Sequence, residues 1–346
     1  MYDDAIINSY SPDDWLLGEL ARKRPEYFLA EWLLKGGDLD SWREKLTSGL
    51  RAALALDSVE PVERDVKLLD RYEDDGITFD RLLITTETGV SVPALMLLPH
   101  TWDLPLPGVV VCPDRGESKF ATVLPRWTMP GDPDRSLVRR LVDDHNIVLV
   151  IDPIGGGERA ANELGQAAVG AWMGRPLLGR AVHEAICGID VLEPMQQVAT
   201  DRLAVVGFGT GGAAALHALA LDKRFRVGAV SGQLGSHADR VRHLIKHRWQ
   251  GIEDQLLTMC PGVFGLAELS DVASLCAPQP LMMIHAEGDP GCPVDSAREC
   301  AQEIRDGFAK SGAKGLFNAN FLPEFSSRAA EDIREFLKLH LTGQYL

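Results

Sequence analysis

The chain has 346 residues, of which 45% are hydrophobic and 25% charged, and its 50 acidic against 35 basic side chains give a formal net charge of −15. This length corresponds to about two domains of ordinary size or to one large α/β domain. Because the surplus of negative charge repels phosphate backbones and anionic lipid, nucleic acid and membrane surfaces are excluded as expected partners.

The first part of the chain has the apolar spacing of helices. Leu16 and Leu20, for example, lie four positions apart, which places both on one helix face. The same pattern continues over residues 38–56, where Asp40 is the expected N-cap. We therefore predict a helical extension over residues 1–70. The N-terminus lacks the basic and apolar regions of a signal peptide.

Strand patterns begin at Val66. Three runs rich in β-branched and apolar residues are separated by turn residues, and they are Val66 to Tyr72, Phe79 to Thr86 and Val90 to Leu98. Their short connections predict an antiparallel start to a sheet.

After Pro99, short apolar runs alternate with helical patterns. The runs suit parallel strands buried on both faces, and they are Val109 to Cys112, Ile147 to Ile151, Leu203 to Val206, Val227 to Val230, Leu281 to His285 and Leu316 to Leu322. The helical patterns are Ser136 to Val142, Leu177 to Met195, Ala213 to Leu221, Ala238 to His247, Asp295 to Ala309 and Ala329 to Leu341. This rhythm predicts an α/β fold with a mostly parallel, doubly wound sheet over residues 71–346.

The cysteines indicate a reducing compartment. The sequence contains six of them, without C-x-x-C or zinc-like spacing: Cys112, Cys187, Cys260, Cys276, Cys292 and Cys300. We expect reduced, mostly buried thiols in a cytoplasmic protein. No apolar run reaches the length of a membrane span.

A glycine-rich turn follows the strand pattern at Leu203. Gly207, Gly209 and Gly212 satisfy the dinucleotide-binding fingerprint G-x-G-x-x-G, in which a pyrophosphate meets the N-terminus of a helix. The same strand–turn–helix pattern also suits a nucleophile elbow, G-x-S-x-G, whose strained turn exposes a serine.

The surroundings favour the elbow. A dinucleotide site needs an acidic residue after the next strand, but that strand ends in Ser231, Gly232 and Gln233. The turn also follows about 200 residues, whereas the fingerprint usually opens its domain. Dinucleotide binding remains the lesser alternative, and otherwise no cofactor is expected.

Five sequence blocks in order resemble the α/β-hydrolase superfamily, in particular esterases similar to acetyl xylan esterase and dienelactone hydrolase. The blocks are Thr88 to Pro99, Val110 to Gly116, Ile151 to Arg159, Gly188 to Leu203 with the following glycine-rich turn, and Ala286 to Pro290. The resemblance runs from about Arg81 to the C-terminus and adds a helical N-terminal segment of the same kind. It implies an α/β-hydrolase fold, and it implies a homo-oligomer because members of the family often assemble.

The resemblance also implies a catalytic triad in the order nucleophile, acid, histidine. Asp289 stands at the acid position. The nucleophile position holds Gly209, which has no side chain. The loop after the last strand, where the histidine belongs, contains Glu324 and no histidine. The later His340 belongs to a helical pattern. The sequence therefore predicts a degenerate triad.

The resemblance implies a cleft at the carboxyl ends of the parallel strands. The backbone N–H of Thr210 is expected to face the former oxyanion hole, with Arg115 or Gly116 opposite. His237 is the histidine placed to reach the cleft, and Trp172 is a candidate wall of the pocket.

Three hypotheses about function follow. The first is a small-molecule pocket on an esterase-like scaffold without ordinary serine-esterase activity. The second is a non-hydrolytic enzyme, such as a lyase, isomerase or cyclase, that uses Asp289 with Glu324 or His237. The third is a carboxylic ester hydrolase in which Asp289 works through an activated water.

Overall fold

The computed structural model describes residues 11–22, 25–100, 105–123, 128–129, 132–289, 291–325 and 327–342. Its strands are β1 (Val66–Asp74), β2 (Ile77–Glu87), β3 (Val90–Pro99), β4 (Leu106–Cys112), β5 (Thr128–Met129), β6 (Asp132–Ser136), β7 (Ile147–Ile151), β8 (Val198–Phe208), β9 (Val227–Ser231), β10 (Leu281–Ala286) and β11 (Phe317–Leu322).

Its α-helices are α1 (Pro12–Arg22), α2 (Leu29–Leu34), α3 (Leu39–Ala53), α4 (Lys119–Val123), α5 (Leu137–Asp143), α6 (Glu163–Trp172), α7 (Leu177–Leu192), α8 (Gly209–Leu221), α9 (His237–Lys246), α10 (Ile252–Thr258), α11 (Val263–Leu266), α12 (Leu269–Leu275), α13 (Val294–Lys310) and α14 (Ser327–Leu341). Single turns of 3-10 helix lie at Leu56–Ser58 and Gly157–Arg159.

Within the described ranges, nine strands form one sheet in the order β1-β2-β3-β7-β4-β8-β9-β10-β11. The neighbours β1, β2, β3 and β7 pair antiparallel, and every pair from β7 to β11 is parallel. The predicted α/β fold, with a mostly parallel sheet and antiparallel first strands, is therefore confirmed. β5 and β6 form a separate two-stranded sheet.

The central strands of the sheet are buried on both faces. Residues that alternate along them point to opposite sides and so belong to two different cores. Val110 and Leu149 belong to a core that also contains residues of α3, α7, α8, α12 and α13. Val109 and Val148 belong to a second core, which α5 and α14 cover. This arrangement explains why the central strands are continuous apolar runs in the sequence.

The N-terminal helices pack against the first of these cores. Trp42, Leu46 and Leu50 of α3 are fully buried there, and the indole N–H of Trp42 donates to the carbonyl of Tyr27 at 2.7 Å. The N-cap of α3 is Asp38, whose carboxylate accepts from the backbone N–H of Ser41 at 2.9 Å. The predicted cap, Asp40, is wrong because that residue already lies in the first helical turn.

Buried ion pairs join the loops that follow β4 and β7. Lys119 of α4 lies 2.5 Å from the carboxylate of Asp152, and it also pairs with Glu158. The guanidinium of Arg159 makes two bonds, at 2.6 and 2.8 Å, to the carboxylate of Glu184 on α7. These contacts hold both loops at the carboxyl edge of the sheet.

All six cysteines are buried and free of disulfides. No helix in the described ranges is both long enough and apolar enough to cross a membrane.

Candidate functional site

The glycine-rich turn makes a tight connection from β8 to α8. Gly209 has a φ of +50°, a conformation that L side chains rarely adopt. A Cβ on Gly211 would overlap the carbonyl oxygens of Cys112 and Pro113, so the start of α8 lies directly against the end of β4. Helix α8 begins at Gly209, four residues before the predicted start at Ala213.

The carboxylate of Asp114 lies at the tip of this turn. Its Oδ1 accepts from the backbone N–H of Thr210 at 2.8 Å and from that of Arg115 at 2.7 Å. The hydroxyl of Thr210 adds a third bond, at 3.2 Å. A Cβ built on Gly209 would overlap the carboxylate of Asp114. Asp114 therefore occupies the space into which a side chain at position 209 would project.

The backbone amides of Thr210 and Arg115 thus donate to the same oxygen, and that oxygen belongs to the side chain of Asp114 in the same protein. The amide of Thr210 lies at the N-terminus of α8, where the helix dipole also favours negative charge. The amide of Gly116 is used elsewhere, since it donates to Glu163 Oε1 at 3.1 Å. Of the two candidates expected opposite Thr210, the structure places Arg115 there.

A cavity of about 510 Å³, here called the cleft, opens beside this turn. It is lined by Asp114, Gly209, Thr210, Gly232, Gln233, Arg240, His243, His247, Gln250, Gly251, Asp254, Gln255, Thr258, Asp289, Gly291 and Phe325. The lining residues come from loops after β4, β8, β9, β10 and β11 and from α9 and α10. Strand-end loops therefore meet at one edge of the sheet, although the loop after Ile151, which was also expected there, contributes no residue to this lining.

Three carboxylates face the cleft, and each has a polar partner. Asp114 is held by the two amides described above. Asp254 of α10 lies 3.2 Å from the guanidinium of Arg115. Asp289 accepts from the backbone N–H of Gly291 at 2.7 Å. Gln233 links the loop after β9 to the glycine-rich turn, because its side-chain amide donates to the carbonyl of Gly209 at 2.6 Å.

The structure brings Gly209, Thr210 and Asp289 together at the cleft, but it places other candidate residues elsewhere. Glu324 is exposed, and its neighbour Phe325 lines the cleft instead. Trp172 ends α6 with 89% of its surface exposed, away from the cleft lining.

A second cavity, of about 350 Å³ and here called the chamber, adjoins the cleft. Gln233, Arg240, Gln255 and Thr258 line both cavities. The rest of the chamber is mainly apolar, with walls that include Leu244, Trp249, Ile252, Leu256, Met259, Val263, Phe264 and Leu269. His237, which was expected at the cleft, lines the chamber instead.

Two histidines of the chamber are held in the neutral form. Burial lowers the pKa of His217 and of His237 to about 4. The ring nitrogen Nδ1 of His217 lies 2.8 Å from the carbonyl oxygen of Ala213, which can only accept, so Nδ1 carries the proton. Neither ring supplies positive charge near neutral pH.

Sequence reasoning missed several residues of this site. Asp114 follows β4 by two positions, and a charged residue at the carboxyl end of a buried parallel strand is the signal that could have singled it out. Arg240 and His243 lie on α9, His247 directly follows that helix, and Asp254 lies on α10. No motif marks any of these four residues. Among the described residues, no group of three or more His, Cys, Asp and Glu side chains could hold a metal ion.

Comparison with known proteins gives matches at the level of structure. No family model and no curated protein sequence matches the chain. A protein assigned as an acetyl xylan esterase from Bacteroides fragilis NCTC 9343 superposes with a TM-score of 0.76 at 15% identity, over 92% of this chain and 83% of that one. A glucuronoyl esterase from Solibacter usitatus gives a TM-score of 0.61 at 14% identity, over 90% and 94%.

An acetyl xylan esterase from Paenibacillus sp. R4 gives a TM-score of 0.58 at 17% identity, over 86% of this chain and 94% of that one. These similarities establish the fold: the chain has the α/β-hydrolase-type architecture of these esterases, as the sequence resemblance implied.

Proposed function

We propose that this protein is a small-molecule-binding member of the esterase-like α/β-hydrolase architecture that does not perform serine-esterase chemistry. The observation that carries the proposal is the position of the Asp114 carboxylate. An acyl-transfer enzyme needs a hydroxyl at the turn and free amides to stabilise the negative oxygen of its tetrahedral intermediate. Here residue 209 is glycine, and the amides of Thr210 and Arg115 already donate to Asp114.

The same carboxylate argues against dinucleotide binding. A pyrophosphate would have to approach the N-terminus of α8, where the negative charge of Asp114 already accepts from Thr210. Two anions at one helix N-terminus repel each other strongly when they are shielded from water. The lesser alternative based on Gly207, Gly209 and Gly212 therefore loses support.

A second candidate function is hydrolysis of carboxylic esters, or a related proton-transfer reaction, through Asp289. What favours it is that Asp289, Asp254 and Asp114 all line one cleft of about 510 Å³. A carboxylate in such a cleft can activate a water molecule as a general base. This candidate requires neither a nucleophilic serine nor a histidine.

Turnover of p-nitrophenyl acetate distinguishes the two candidates. We expect the purified wild-type protein to release p-nitrophenol no faster than buffer does. Turnover that persists through purification and is lost in Asp289→Asn would overturn the binding proposal in favour of the second candidate. Asp295→Asn, in the first turn of α13, serves as the control for adventitious turnover, because Asp295 does not line the cleft.

A cytoplasmic location is part of the proposal. What supports it is that all six thiols are buried and none forms a disulfide. Assembly into a homo-oligomer is proposed on the basis of the family resemblance alone.

A further inference from the structure

Arg240 of α9 is a buried cation without a counter-ion. Only 7% of its surface is exposed, and among the described residues it takes part in no ion pair. Its one hydrogen bond there runs from Nη2 to the carbonyl of Leu234, at a long 3.4 Å. A buried charge is costly unless it is paired or well hydrogen-bonded. The guanidinium therefore has bonding capacity that the described protein does not use.

The unused hydrogen-bonding capacity of Arg240 is available where the cleft meets the chamber. Arg240 lines both the cleft and the chamber, together with the amides of Gln233 and Gln255 and the hydroxyl of Thr258. The junction between the two cavities is thus polar. Among the described residues that line the chamber, Arg240 alone carries a charge at neutral pH, since burial keeps His217 and His237 neutral.

We propose that the junction and the chamber form a binding site for a carboxylic acid with an apolar body, with the carboxylate on Arg240 and the body in the chamber. A planar guanidinium offers paired N–H donors that match a carboxylate. The chamber, at about 350 Å³, lies within the range of small-molecule sites and has mainly apolar walls. This inference rests on the proposed binding function, and it names the class of ligand.

The other charges of the cleft are compatible with an anion at this point. Asp254 is paired with Arg115, and Asp114 is held by backbone amides. Asp289 lines the cleft but not the chamber, and its carboxylate lies beyond ion-pair distance of Arg240. A neutral ligand of the same shape would leave the buried guanidinium unpaired, so the site should discriminate by charge as well as by shape.

Isothermal titration calorimetry with three probes tests the proposal. Octanoate has both the carboxylate and the apolar body, octanamide has the same size without the charge, and acetate lacks the body. We expect octanoate to bind the wild-type protein at least about tenfold more tightly than either of the other two. Equal affinity for octanoate and octanamide, or no binding of octanoate to the folded protein, would overturn the inference.

Variants locate the two ends of the ligand. Arg240→Met should abolish the preference for octanoate over octanamide, whereas Arg240→Lys, which keeps the charge but not the fork, should retain part of it. Arg242→Met, on the same helix but outside both cavities, is the matched control and should behave as wild type. Val241→Phe should fill the chamber and weaken binding of both eight-carbon probes.

Folding of each variant is checked by circular dichroism and thermal unfolding. Arg240→Met is expected to fold, because it removes the cost of burying an unpaired charge and leaves an unbranched apolar side chain in its place. A folded Arg240→Met that keeps the wild-type preference for octanoate refutes the assignment. The ester assay separates this inference from the proposed function. If the wild-type protein neither binds octanoate nor turns over the ester, the inference alone is overturned, whereas ester turnover that is lost in Asp289→Asn overturns the proposed function.

Discussion

At the scale of single residues, the position of the Asp114 side chain depends on the absence of a side chain at Gly209. Gly209 has a left-handed φ of +50° and no side chain, and the carboxylate of Asp114 fills the space in front of it. The bond from the amide of Thr210 to this carboxylate also satisfies one of the free N–H groups at the start of α8. Either residue therefore restricts what the other position can hold.

Replacing Gly209 with alanine should show this dependence. We expect Gly209→Ala to lower the free energy of unfolding by more than the roughly 1 kcal/mol that a positive φ costs a non-glycine residue, because its Cβ also overlaps Asp114. Asp114→Ala in the same chain should remove the excess, which a double-mutant cycle in urea would measure.

Gly76→Ala is the matched control for this cycle. Gly76 has a φ of +73° with no atom within 4 Å of an added Cβ, so this substitution reports the conformational cost alone. If Gly209→Ala costs no more than Gly76→Ala, or if Asp114→Ala does not relieve it, the two residues are not coupled as described.

At the scale of elements, buried carboxyl groups fix the loops after β4 and β7 and the N-terminal helices. Lys119 joins α4 to the loop after β7 through Asp152 and Glu158. Asp271 of α12 accepts from the backbone N–H of Leu29 at 2.8 Å, at the start of α2. Both contacts involve a buried carboxylate, but the consequences differ, because Asp152 has a cationic partner and Asp271 has only amide donors.

Lys119→Met should therefore be severely destabilising. Lys119 and Asp152 are almost completely buried, so removal of the ammonium leaves an unpaired carboxylate inside the protein. Breaking one side of a buried pair costs about 3–5 kcal/mol. Chemical denaturation measures the loss, and Lys67→Met, at an exposed position, should stay within about 0.5 kcal/mol of wild type. Similar values for both variants would contradict the structural role of Lys119.

Asp271 should make stability depend on pH. Burial raises the pKa of Asp271 from 3.8 to about 7 in the folded protein. As the pH rises between these values, the unfolded chain releases the proton while the folded protein retains it, so the free energy of unfolding falls. This contribution is fully present below pH 3.8, and its loss is complete above about pH 7. The total change is at most about 4 kcal/mol.

Denaturation of wild type and Asp271→Asn across this range tests the point. The decline should become shallower in Asp271→Asn, although burial also raises the pKa of Glu268 and Glu303, so part of it will remain. Asp70→Asn, at an exposed position of β1, is the control and should keep the wild-type decline. An unchanged decline in Asp271→Asn would show that this carboxyl is not the titrating group.

At the scale of the whole molecule, net charge and an open sheet edge act against each other. β1 forms one edge of the nine-stranded sheet, and all nine of its residues are exposed, Leu68 and Leu69 among them. An exposed edge with apolar side chains can pair with a second copy. The net charge of −15 disfavours pairing of further copies through this edge at neutral pH.

We expect this balance to fail near the isoelectric point of about 5.0. Light scattering should show aggregation beyond any defined oligomer there and its reversal at about pH 8, where the carboxylates are charged again. Leu69→Lys should suppress the association. Leu339→Lys, on helix α14 and equally exposed, should not. Equal suppression by both variants would point to general surface hydrophobicity and not to the edge strand.

The sequence was sufficient to predict the sheet, but it was not sufficient to predict which side chains meet at the cleft. Runs such as Ile147 to Ile151 are apolar at every position because both faces are covered, and that signal is local. The bond between Asp114 and Thr210 joins residues 96 positions apart, and it depends on how the loop after β4 turns towards α8. The burial of Arg240 likewise depends on the packing of α9 against neighbouring elements, which no local pattern encodes.

The carboxylate that the chain supplies to its own amides has a consequence for inhibitors. Boronates and phosphonates bind serine hydrolases as transition-state analogues, because an oxygen of the adduct fills the same kind of amide site. In this protein such a compound would compete with a group attached to the same chain, whose effective concentration next to the amides does not fall when the protein is diluted. Broad-spectrum reagents of this type should therefore leave the protein unlabelled in a mixture of esterases.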